Sequence, residues 1–391
     1  MTSEERHAVR RARREAAREA KRRKRNAPYD DFERVFRYEN LYRSYRLCRR
    51  GVAWKSSTQK YITNAPLEVY RVRKRVLSGK YRSPGFYEFD LYERGRKRHI
   101  RSTVIGERVV QRCLCDYALI PVLTPTLIHD NGATMKNKGY DFAIRRFDQH
   151  VREAHRRHGK DCWVLMYDFS KFFDSIPHWL LSDIIRREFR DLRIVELTEH
   201  LIGMFGDVGL GLGSQISQVL ALTSANRIDH MMKERMRIRW CGRYMDDGNA
   251  IHHDRAHLEL AKSEVISLAT QMGFRVNEKK TSISRLDRVT WLKTRYSIPE
   301  NKVVKKIYRR SVTKQRQKVK KMRRLLTIGK ITPEDVGRNI SAWIGYAGRF
   351  NSYHTVQSMT ALCNELFGKE VMRYVHQGRR RHRQARPRGN P

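Results

Sequence analysis

Three aspartates stand where short apolar segments of the chain end. Asp168 closes the apolar run CWVLMYDF, and the pair Asp246-Asp247 lies between two short predicted strands around YMDDG. A buried carboxylate is costly unless it is paired or bound to a cation, and adjacent carboxylates repel each other. Mg²⁺ binds carboxylate oxygens together with substrate phosphates, and two such ions can hold the attacking and leaving oxygens of a phosphoryl transfer. Taken singly, Asp168 also fits a helix N-cap and Asp246-Asp247 an ordinary hairpin turn.

The composition of the 391-residue chain indicates a globular protein with a polyanionic partner. There are 83 Lys and Arg residues against 41 Asp and Glu, a formal net charge of +42, and 40% of the residues are hydrophobic. Such a charge favours nucleic acid, although ribosomal-type and membrane-surface proteins share it. No apolar run is long enough to span a membrane, and the N-terminus has no apolar signal region. We therefore expect a cytoplasmic protein without a membrane partner.

The cysteines do not predict a metal site. Cys113 and Cys115 are separated by one residue, a poor spacing for zinc, and there is no CxxC pair. In a reducing compartment all six are expected to be thiols, mostly small buried hydrophobic side chains. The six are Cys48, Cys113, Cys115, Cys162, Cys241 and Cys363.

The elements that must position the aspartates can be read from periodicity. Alternation at 86–102 predicts a hairpin that turns at Gly95 and has a basic second strand. Helical spacing of apolar residues predicts a helix at 107–120, and a second, polar helix is expected at 140–157. A short apolar run predicts a buried strand at 162–169, and the period of the next segment predicts a helix at 182–189. A glycine-rich loop, GDVGLGLGS, is followed by a predicted long helix from Gln215 to Arg237. Further predictions are a helix at 255–272, an extended piece at 289–298, a basic helical segment from Asn301, and helices at 333–347 and 354–376.

Both ends of the chain are strongly basic. The N-terminal stretch 7–25 is rich in Ala and Arg and has no apolar stripe. It is either a solvated, partly helical tail or an arm that becomes helical on RNA phosphates. The C-terminal stretch 378–391 is of low complexity and is predicted to be disordered when free.

The motifs and their order resemble those of reverse transcriptases. They are MYDFSKFFDSI at 166–176, GLGLGSQISQ at 209–218, RYMDDGNAI at 243–251, NEKKT at 277–281 and WLK at 291–293. The resemblance extends over roughly residues 90 to 298 and more weakly to about 370. It implies a bacterial-type enzyme with an α+β right-hand polymerase fold, in which fingers, an antiparallel-sheet palm and a helical thumb follow one another.

The resemblance implies a two-metal site. Asp168 and Asp246 would bridge two Mg²⁺ ions, with Mn²⁺ as an alternative, and Asp247 would assist Asp246. The backbone carbonyl of Phe169 would help to hold a metal ion. Lys280, with Lys279 as the alternative, would protonate the leaving pyrophosphate or clamp its charge.

Further residues are expected to bind the nucleotide and the primer. Phe173 matches the aromatic that excludes a 2′-hydroxyl, although one of Phe172 and Phe173 is expected to be core. Lys97 and Arg98, with Arg101 as an additional candidate, match the cations that clamp the triphosphate. Glu107-Arg108 and Gln111 begin the helix that the family packs under the template. Trp291 and Leu292 match the turn that grips the primer end, or else form an edge strand with a buried Trp.

One motif departs from the usual family pattern. Most relatives carry Gln-Gly and then Ser-Pro, whereas this chain has Leu212-Gly213 and then Ser217-Gln218. The departure resembles polymerases of diversity-generating retroelements, and the loss of a polar group beside the templating pair predicts lower fidelity. A similar core occurs in bacterial antiviral reverse transcriptases, some of which use a noncoding RNA.

The expected activity is RNA-directed DNA synthesis from dNTPs on a template RNA or structured noncoding RNA, with a cDNA or primer strand and an optional accessory protein. A nonenzymatic RNA-binding module is the alternative, but none of the three carboxylates is lost. An RNA-directed RNA polymerase is disfavoured by Tyr244-Met245 and by Phe173. The expected domains are a basic arm (1–27), fingers with part of the palm (28–158), palm (159–298), thumb (299–377) and tail (378–391). The template, priming mode, oligomeric state and biological setting are left open.

Overall fold

The computed structural model describes residues 2–93 and 96–384, without the side chains of 93, 96, 98, 301, 369–370 and 376–384. The chain divides into two compact units. The first unit runs to Phe147 and adds Leu165–Ala250 and Ala256–Ser282; the second comprises Asp148–Val164, Ile251–Arg255 and the chain from Ile283 onward. Within the described ranges, no helix is both long and apolar enough to cross a membrane.

The first unit begins with a row of helices. They are α1 (Ser3–Asn26), α2 (Phe32–Val35), α3 (Tyr38–Cys48), α4 (Ser56–Thr63) and α5 (Ala65–Leu77). A capping box starts α1: the Thr2 hydroxyl accepts the N–H of Glu5, and the Glu5 carboxylate accepts the N–H of Thr2. Basic residues in its last turn stabilise the helix through their attraction to the negative end of the helix dipole. The predicted basic arm is therefore one long helix, and most of its side chains are exposed.

The predicted hairpin is confirmed as β1 (Phe86–Glu93) and β2 (Arg96–Thr103), which pair antiparallel with Phe86 opposite Thr103. Gly95, where the turn was expected, lies outside the described residues. The two predicted helices that follow are also present. They are α6 (Ile105–Leu114), which continues through a π-helical turn into α7 (Ile120–Leu123), and α8 (Tyr140–His158).

A four-stranded sheet contains the predicted buried strand. Its strands are β3 (Trp163–Asp168), β4 (Trp240–Tyr244), β5 (Asp247–His252) and β6 (Ser282–Arg285), in the order β4-β5-β3-β6. The inner position of β3 accounts for its continuous apolar run, because both faces of an inner strand can be covered. Val164, Leu165 and Tyr167 are all buried. Two residues separate β4 from β5, as in a tight antiparallel hairpin.

Six α-helices lie between Phe172 and Gln271; those predicted at 182–189 and 255–272 are present, whereas those at 172–175 and 192–203 were not predicted. The six are α9 (Phe172–Ser175), α10 (His178–Glu188), α11 (Leu192–Gly203), α12 (Gln215–Ser224), α13 (Asn226–His230) and α14 (Arg255–Gln271). The prediction of one helix from Gln215 to Arg237 was wrong. The helix breaks at Ala225, and a π-helical turn follows α13. Asn226 donates a side-chain hydrogen bond to the carbonyl of Thr126 at this break, a distant contact that periodicity cannot register.

The second unit ends in a small sheet and three helices. They are β7 (Thr290–Trp291), β8 (Thr294–Ser297), β9 (Val304–Ile307), α15 (Arg309–Thr327), α16 (Pro333–Ala347) and α17 (Tyr353–Gln384). The segment from Asn301 was predicted to be helical, but it begins with β9, because Thr294–Ser297 offers it an antiparallel partner. The helices share a core that includes Val319, Ile340 and Cys363. Residues 378–384 continue α17 rather than being disordered, and 385–391 lie outside the described residues.

The prediction that the cysteines are thiols is confirmed. All six are free, and five of them are buried. Burial raises the pKa of the Cys162 thiol to about 11, so it stays protonated near neutral pH and is a poor nucleophile.

Candidate active site

The three predicted carboxylates lie at the ends of neighbouring strands in the first unit. Asp168 is the last residue of β3 and is 3% exposed. Asp246 lies in the connection between β4 and β5, and Asp247 is the first residue of β5. Because β5 lies beside β3 in the sheet, two motifs that are distant in the sequence are adjacent in the fold.

The hairpin that carries Asp246 has a constrained backbone. Met245, in the connection, has a φ of 55°, which side chains with a Cβ seldom adopt. On β5, a Cβ added at Gly248 would overlap the distal ring atoms of Tyr167 on β3. Glycine is therefore required there, because the Tyr167 ring lies directly against its backbone.

Asp168 is held by two residues of the NEKKT motif. The Lys280 amine lies 2.8 Å from both carboxylate oxygens of Asp168. Asn277 donates its side-chain amide to one of these oxygens at 3.1 Å, and its backbone N–H to the Asp168 carbonyl at 2.7 Å. The structure thus brings Lys280, the preferred candidate, to the carboxylates. The role of Asn277 was not predicted, although its position in the motif was a signal.

Burial and mutual repulsion dominate the electrostatics of the carboxylates. Desolvation, followed by the charges of Asp246 and Asp168, raises the pKa of Asp247 well above the ordinary carboxylate range. Desolvation and the charge of Asp168 also raise the pKa of Asp246. Partial burial disfavours the charged Lys280 amine, but its hydrogen bond and ion pair with Asp168 outweigh that, and its pKa is raised. The cluster therefore favours a compensating positive charge.

The carboxylates suit a hard divalent cation whose remaining ligands come from the substrate. Carboxylate oxygens are the protein ligands that Mg²⁺ and Mn²⁺ prefer. Across the described ranges, no group of three or more acidic, histidine or cysteine side chains forms a ready-made cage. Mg²⁺ is usually bound by one or two carboxylates together with substrate phosphates, so the arrangement suits an ion that arrives with a nucleotide.

The aromatic residues after β3 divide into core and surface. Phe169 and Phe172 are 1% and 3% exposed and pack with Phe274. Phe172 is therefore the core member of its pair, as expected for one of the two. Phe173 is half-buried, and its carbonyl accepts the N–H of Leu210 at 2.7 Å. With the Phe169 ring in the core, only its backbone carbonyl is left for the predicted metal contact.

A chain of buried hydrogen bonds anchors the loop that contains Leu212 and Gly213. Ser214, the next residue, donates its hydroxyl to Gln111, and Gln111 donates to Glu107. The other oxygen of Glu107 accepts the Tyr81 hydroxyl at 2.7 Å. Leu212 is half-buried, whereas Gly213 and Gln218 are exposed. Glu107 and Gln111 were predicted to begin a helix, but this network was not predicted; their spacing of four residues on one helix was its signal.

The cations of the predicted triphosphate clamp lie on the hairpin of β1 and β2. The Lys97 amine is 2.9 Å from Asp90 and 59% exposed. Arg101 is paired with Glu88 at 3.1 Å. The side chain of Arg98 lies outside the described residues. The clamp therefore stays a prediction, and Lys97 would have to leave Asp90 to meet a triphosphate.

The predicted primer grip belongs to the second unit. Trp291 ends β7 and is 4% exposed. Leu292 and Lys293 form the turn into β8, with φ of 45° and 62°. A strand with a buried tryptophan is thus present, and the grip itself stays a prediction.

Comparison with known families identifies the class of protein. The family model described as reverse transcriptase (RNA-dependent DNA polymerase) matches residues 106–325, which is more than half of the chain. The chain belongs to this reverse transcriptase family, and the predicted α+β right-hand polymerase fold is confirmed. The matched range contains the three carboxylates, Lys280 and the turn at Leu292, but not the hairpin of β1 and β2.

Individual proteins are also similar to parts of the chain, including a protein of Escherichia coli and a telomerase. Protein YkfC of Escherichia coli (strain K12) is 25% identical over 179 residues, which cover 43% of this chain and 46% of that protein. The chain thus spans less than half the length of this relative. A structure of apo telomerase from Candida tropicalis, truncated from its C-terminal domain, has a TM-score of 0.42 at 12% identity and covers 56% of this chain and 54% of that chain.

Proposed function

We propose that the protein is an RNA-directed DNA polymerase that extends a primer with dNTPs on an RNA template, using two Mg²⁺ ions. One observation carries the proposal: Asp168, Asp246 and Asp247 lie at the ends of adjacent strands, in a chain of the reverse transcriptase family. In the reaction the primer 3′-hydroxyl attacks the α-phosphate of a dNTP, and pyrophosphate leaves. The bound cations would lower the pKa of the hydroxyl and stabilise the leaving group.

The chain's own residues would orient the reactants and manage charge. Asp168 and Asp246 would hold both cations, with Asp247 and the Phe169 carbonyl completing the set. Asn277 would keep the Asp168 carboxylate in one orientation, because it bonds both the side chain and the backbone of that residue.

Lys280 would change partners during the reaction. Its raised pKa keeps the amine charged, so it can neutralise pyrophosphate oxygens or give them a proton. Its 61% exposed side chain has room to swing from Asp168 towards a bound triphosphate.

Phe173 would select deoxynucleotides. The residue is half-buried beside a packed Phe172, and its backbone is bonded to Leu210. A ring held in this way can collide with a 2′-hydroxyl instead of yielding to it.

The basic helices would bind RNA. The last turns of α1 are bonded to other parts of the first unit: Arg22 and Asn26 contact the buried Glu188, and Arg25 donates to the carbonyl of Val122. A groove of about 730 Å³ lies beside this anchor. Its cationic lining residues are Arg22, Arg23, Lys24, Arg186, Arg187 and Arg190. The exposed face of α15 would follow a duplex backbone in the same way, without reading sequence.

RNA binding through these cations should weaken steeply with salt. Every phosphate that the protein no longer neutralises should reduce the slope of log affinity against log salt by roughly 0.7 to 0.9. Lys24→Gln/Arg187→Gln should therefore reduce that slope by between about 1 and 2, measured by filter binding from low to moderate salt. A flat affinity for the unsubstituted protein would contradict the proposal.

For the biological setting we propose cDNA synthesis on a dedicated RNA, either in a diversity-generating retroelement or in antiphage defence. Leu212 and Gln218 favour the retroelement. Leu212 offers no polar group beside the templating pair, so misincorporation should be frequent, particularly opposite one template base. Sequencing of cDNA from a defined template should show fewer errors for Leu212→Gln. Equal error rates would refute this role. The domain limits expected from the sequence are also proposed: arm (1–27), fingers with part of the palm (28–158), palm (159–298), thumb (299–377) and tail (378–391).

The decisive experiment is primer extension on an RNA template with dNTPs and Mg²⁺. The variant Asp246→Asn/Asp247→Asn should abolish synthesis. The matched control Asp183→Asn/Asp207→Asn removes the same charge at two exposed positions and should retain it. Metal-dependent cDNA that survives in the first variant would refute the proposal. Tight RNA binding without any product from the unsubstituted protein would instead favour a nonenzymatic RNA-binding module.

A further inference from the structure

Arg243 is a fully buried cation directly beside the candidate active site. It lies on β4, three residues before Asp246, and is 0% exposed. Burying a guanidinium is costly unless nearly all of its donors are paired. A buried arginine at this position therefore needs a reason that a hydrophobic side chain of similar size would not satisfy.

The guanidinium joins three separate segments. Nε and Nη2 donate to the two carboxylate oxygens of Asp229 on α13, each at 2.8 Å. Nη2 also donates to the carbonyl of Leu222 on α12 at 2.8 Å. The remaining nitrogen, Nη1, donates to the carbonyl of Met245 at 2.9 Å. Asp229 is itself 2% exposed, so the ion pair is desolvated and its two parallel bonds fix the orientation of the guanidinium.

The contact with Met245 is the informative one. Met245 adopts a left-handed backbone conformation in the turn between β4 and β5, and its carbonyl belongs to the peptide group that leads into Asp246. A hydrogen bond from a rigid, oriented donor therefore fixes the plane of that peptide. Fixing this plane restricts the direction in which the Asp246 side chain leaves the backbone.

The backbone of Arg243 is held as firmly as its side chain. Its N–H donates to the carbonyl of Asp130 and its carbonyl accepts the N–H of Gly132, at 3.2 and 2.9 Å. A Cβ at Gly242 would come within 2.9 Å of the same Asp130 carbonyl. The base of the hairpin is thus bonded to the segment 130–132, and the Arg243 side chain adds a bond to the hairpin tip.

We propose that Arg243, oriented by Asp229, is a positioning residue that sets the Met245 carbonyl and thereby aims Asp246 at the metal ions. The inference rests on the proposed function, because it assigns the buried pair a purpose in metal binding. If the pair were purely structural, replacing both of its members would leave metal binding unchanged.

The test removes the pair without leaving a buried charge alone. Replacing both members of a buried ion pair by hydrophobic residues is often neutral or stabilising, so Arg243→Met/Asp229→Leu should unfold near the temperature of the unsubstituted protein. Arg71→Gln/Glu68→Gln removes an exposed ion pair on α5 and serves as the control. Mn²⁺ binding to each protein is measured by electron paramagnetic resonance, and the kcat and KM of primer extension are measured alongside.

The buried variant should bind Mn²⁺ on the order of tenfold more weakly, which corresponds to the loss of one charge-assisted hydrogen bond. Its kcat should fall by at least a similar factor while the KM for dNTP changes less. A folded variant with an unchanged Mn²⁺ midpoint and kcat would overturn the inference. If the double variant fails to fold, Arg243→Lys takes its place, because lysine keeps the charge but cannot reach all three segments. Arg243→Lys should then show the same weakened Mn²⁺ binding, and unchanged binding would overturn the inference.

The two readouts separate this inference from the proposed function. Absence of cDNA synthesis by the unsubstituted protein would contradict the proposed function, whereas the Mn²⁺ midpoint would still report whether Arg243 positions Asp246.

Discussion

Substitution of Gly248 by alanine should damage the candidate active site through one steric contact. The added Cβ would meet the Cζ, Cε2 and Cε1 atoms of Tyr167, of which the most distant, Cε1, would be at 2.5 Å. Carbon atoms pack at about 3.5–4.0 Å, so the ring or β5 must move by at least about 1 Å. Tyr167 is 3% exposed, and a close-packed interior offers no free space for that movement.

The size of the effect follows from this overlap. Overpacking of a core typically costs about 1–3 kcal/mol, and an overlap with three ring atoms should lie at the upper end. Gly248 directly follows Asp247, so a shift of β5 carries the carboxylates with it. Misplacement by about 1 Å can cost on the order of a hundredfold in rate. Gly248→Ala should therefore lower both the unfolding temperature and the primer-extension rate.

A matched control makes the same chemical change where space is available. Gly345 lies exposed within α16, and a Cβ there would have no neighbour within 4 Å. Gly345→Ala should stabilise its helix by roughly 0.5–1 kcal/mol and leave the rate unchanged. The two alanine variants should therefore shift the thermal unfolding curve in opposite directions.

A second substitution tests the cause. Tyr167→Leu removes the ring atoms that the new Cβ would meet, so Gly248→Ala should be less damaging in the Tyr167→Leu background than alone. Thermal unfolding and primer extension of the four proteins in this cycle give the coupling. Additive effects, or a Gly248→Ala protein as stable as the unsubstituted one, would refute the steric argument.

Three further predictions concern the site and the basic helix α1. Phe173→Val should raise the ratio of ribonucleotide to deoxynucleotide incorporation by at least about tenfold, measured as kcat/KM on one template; an unchanged ratio would remove Phe173 as the selecting residue. Lys280→Gln should lower the kcat of primer extension by about a hundredfold or more if Lys280 acts as the acid, and Lys279→Gln, its neighbouring control, should not. Glu188→Gln should speed amide hydrogen exchange in α1, because it weakens the contact with Arg22, while exchange in β3 stays slow; equal exchange in α1 would show that Glu188 is not its anchor.

The sequence by itself was sufficient for the class of fold and for the choice of candidate site residues. The apolar run of β3, the tight hairpin around Asp246 and the order of the motifs are local signals. The apolar run predicts the position of β3 because a strand that is buried on both faces must be apolar. Lys280 could be selected over Lys279 from its motif, and the structure places it on Asp168. The division of Phe172 and Phe173 into one core and one half-buried ring could be anticipated, but not which ring was which.

Other features depended on contacts that no local pattern contains. The break at Ala225 occurs where Asn226 meets Thr126, and β9 is a strand because β8 pairs with it. The positions of Asn277 on Asp168, of Ser214 on Gln111 and of Arg243 under Met245 are likewise tertiary.

The physical reason is that secondary structure reports the average preference of neighbouring residues, whereas the position of a buried polar side chain depends on its hydrogen-bond partner. An arginine in the sequence is most economically explained as a surface charge. Only the fold can show that Asp229, Leu222 and Met245 accept its hydrogen bonds and keep it buried beside the carboxylates.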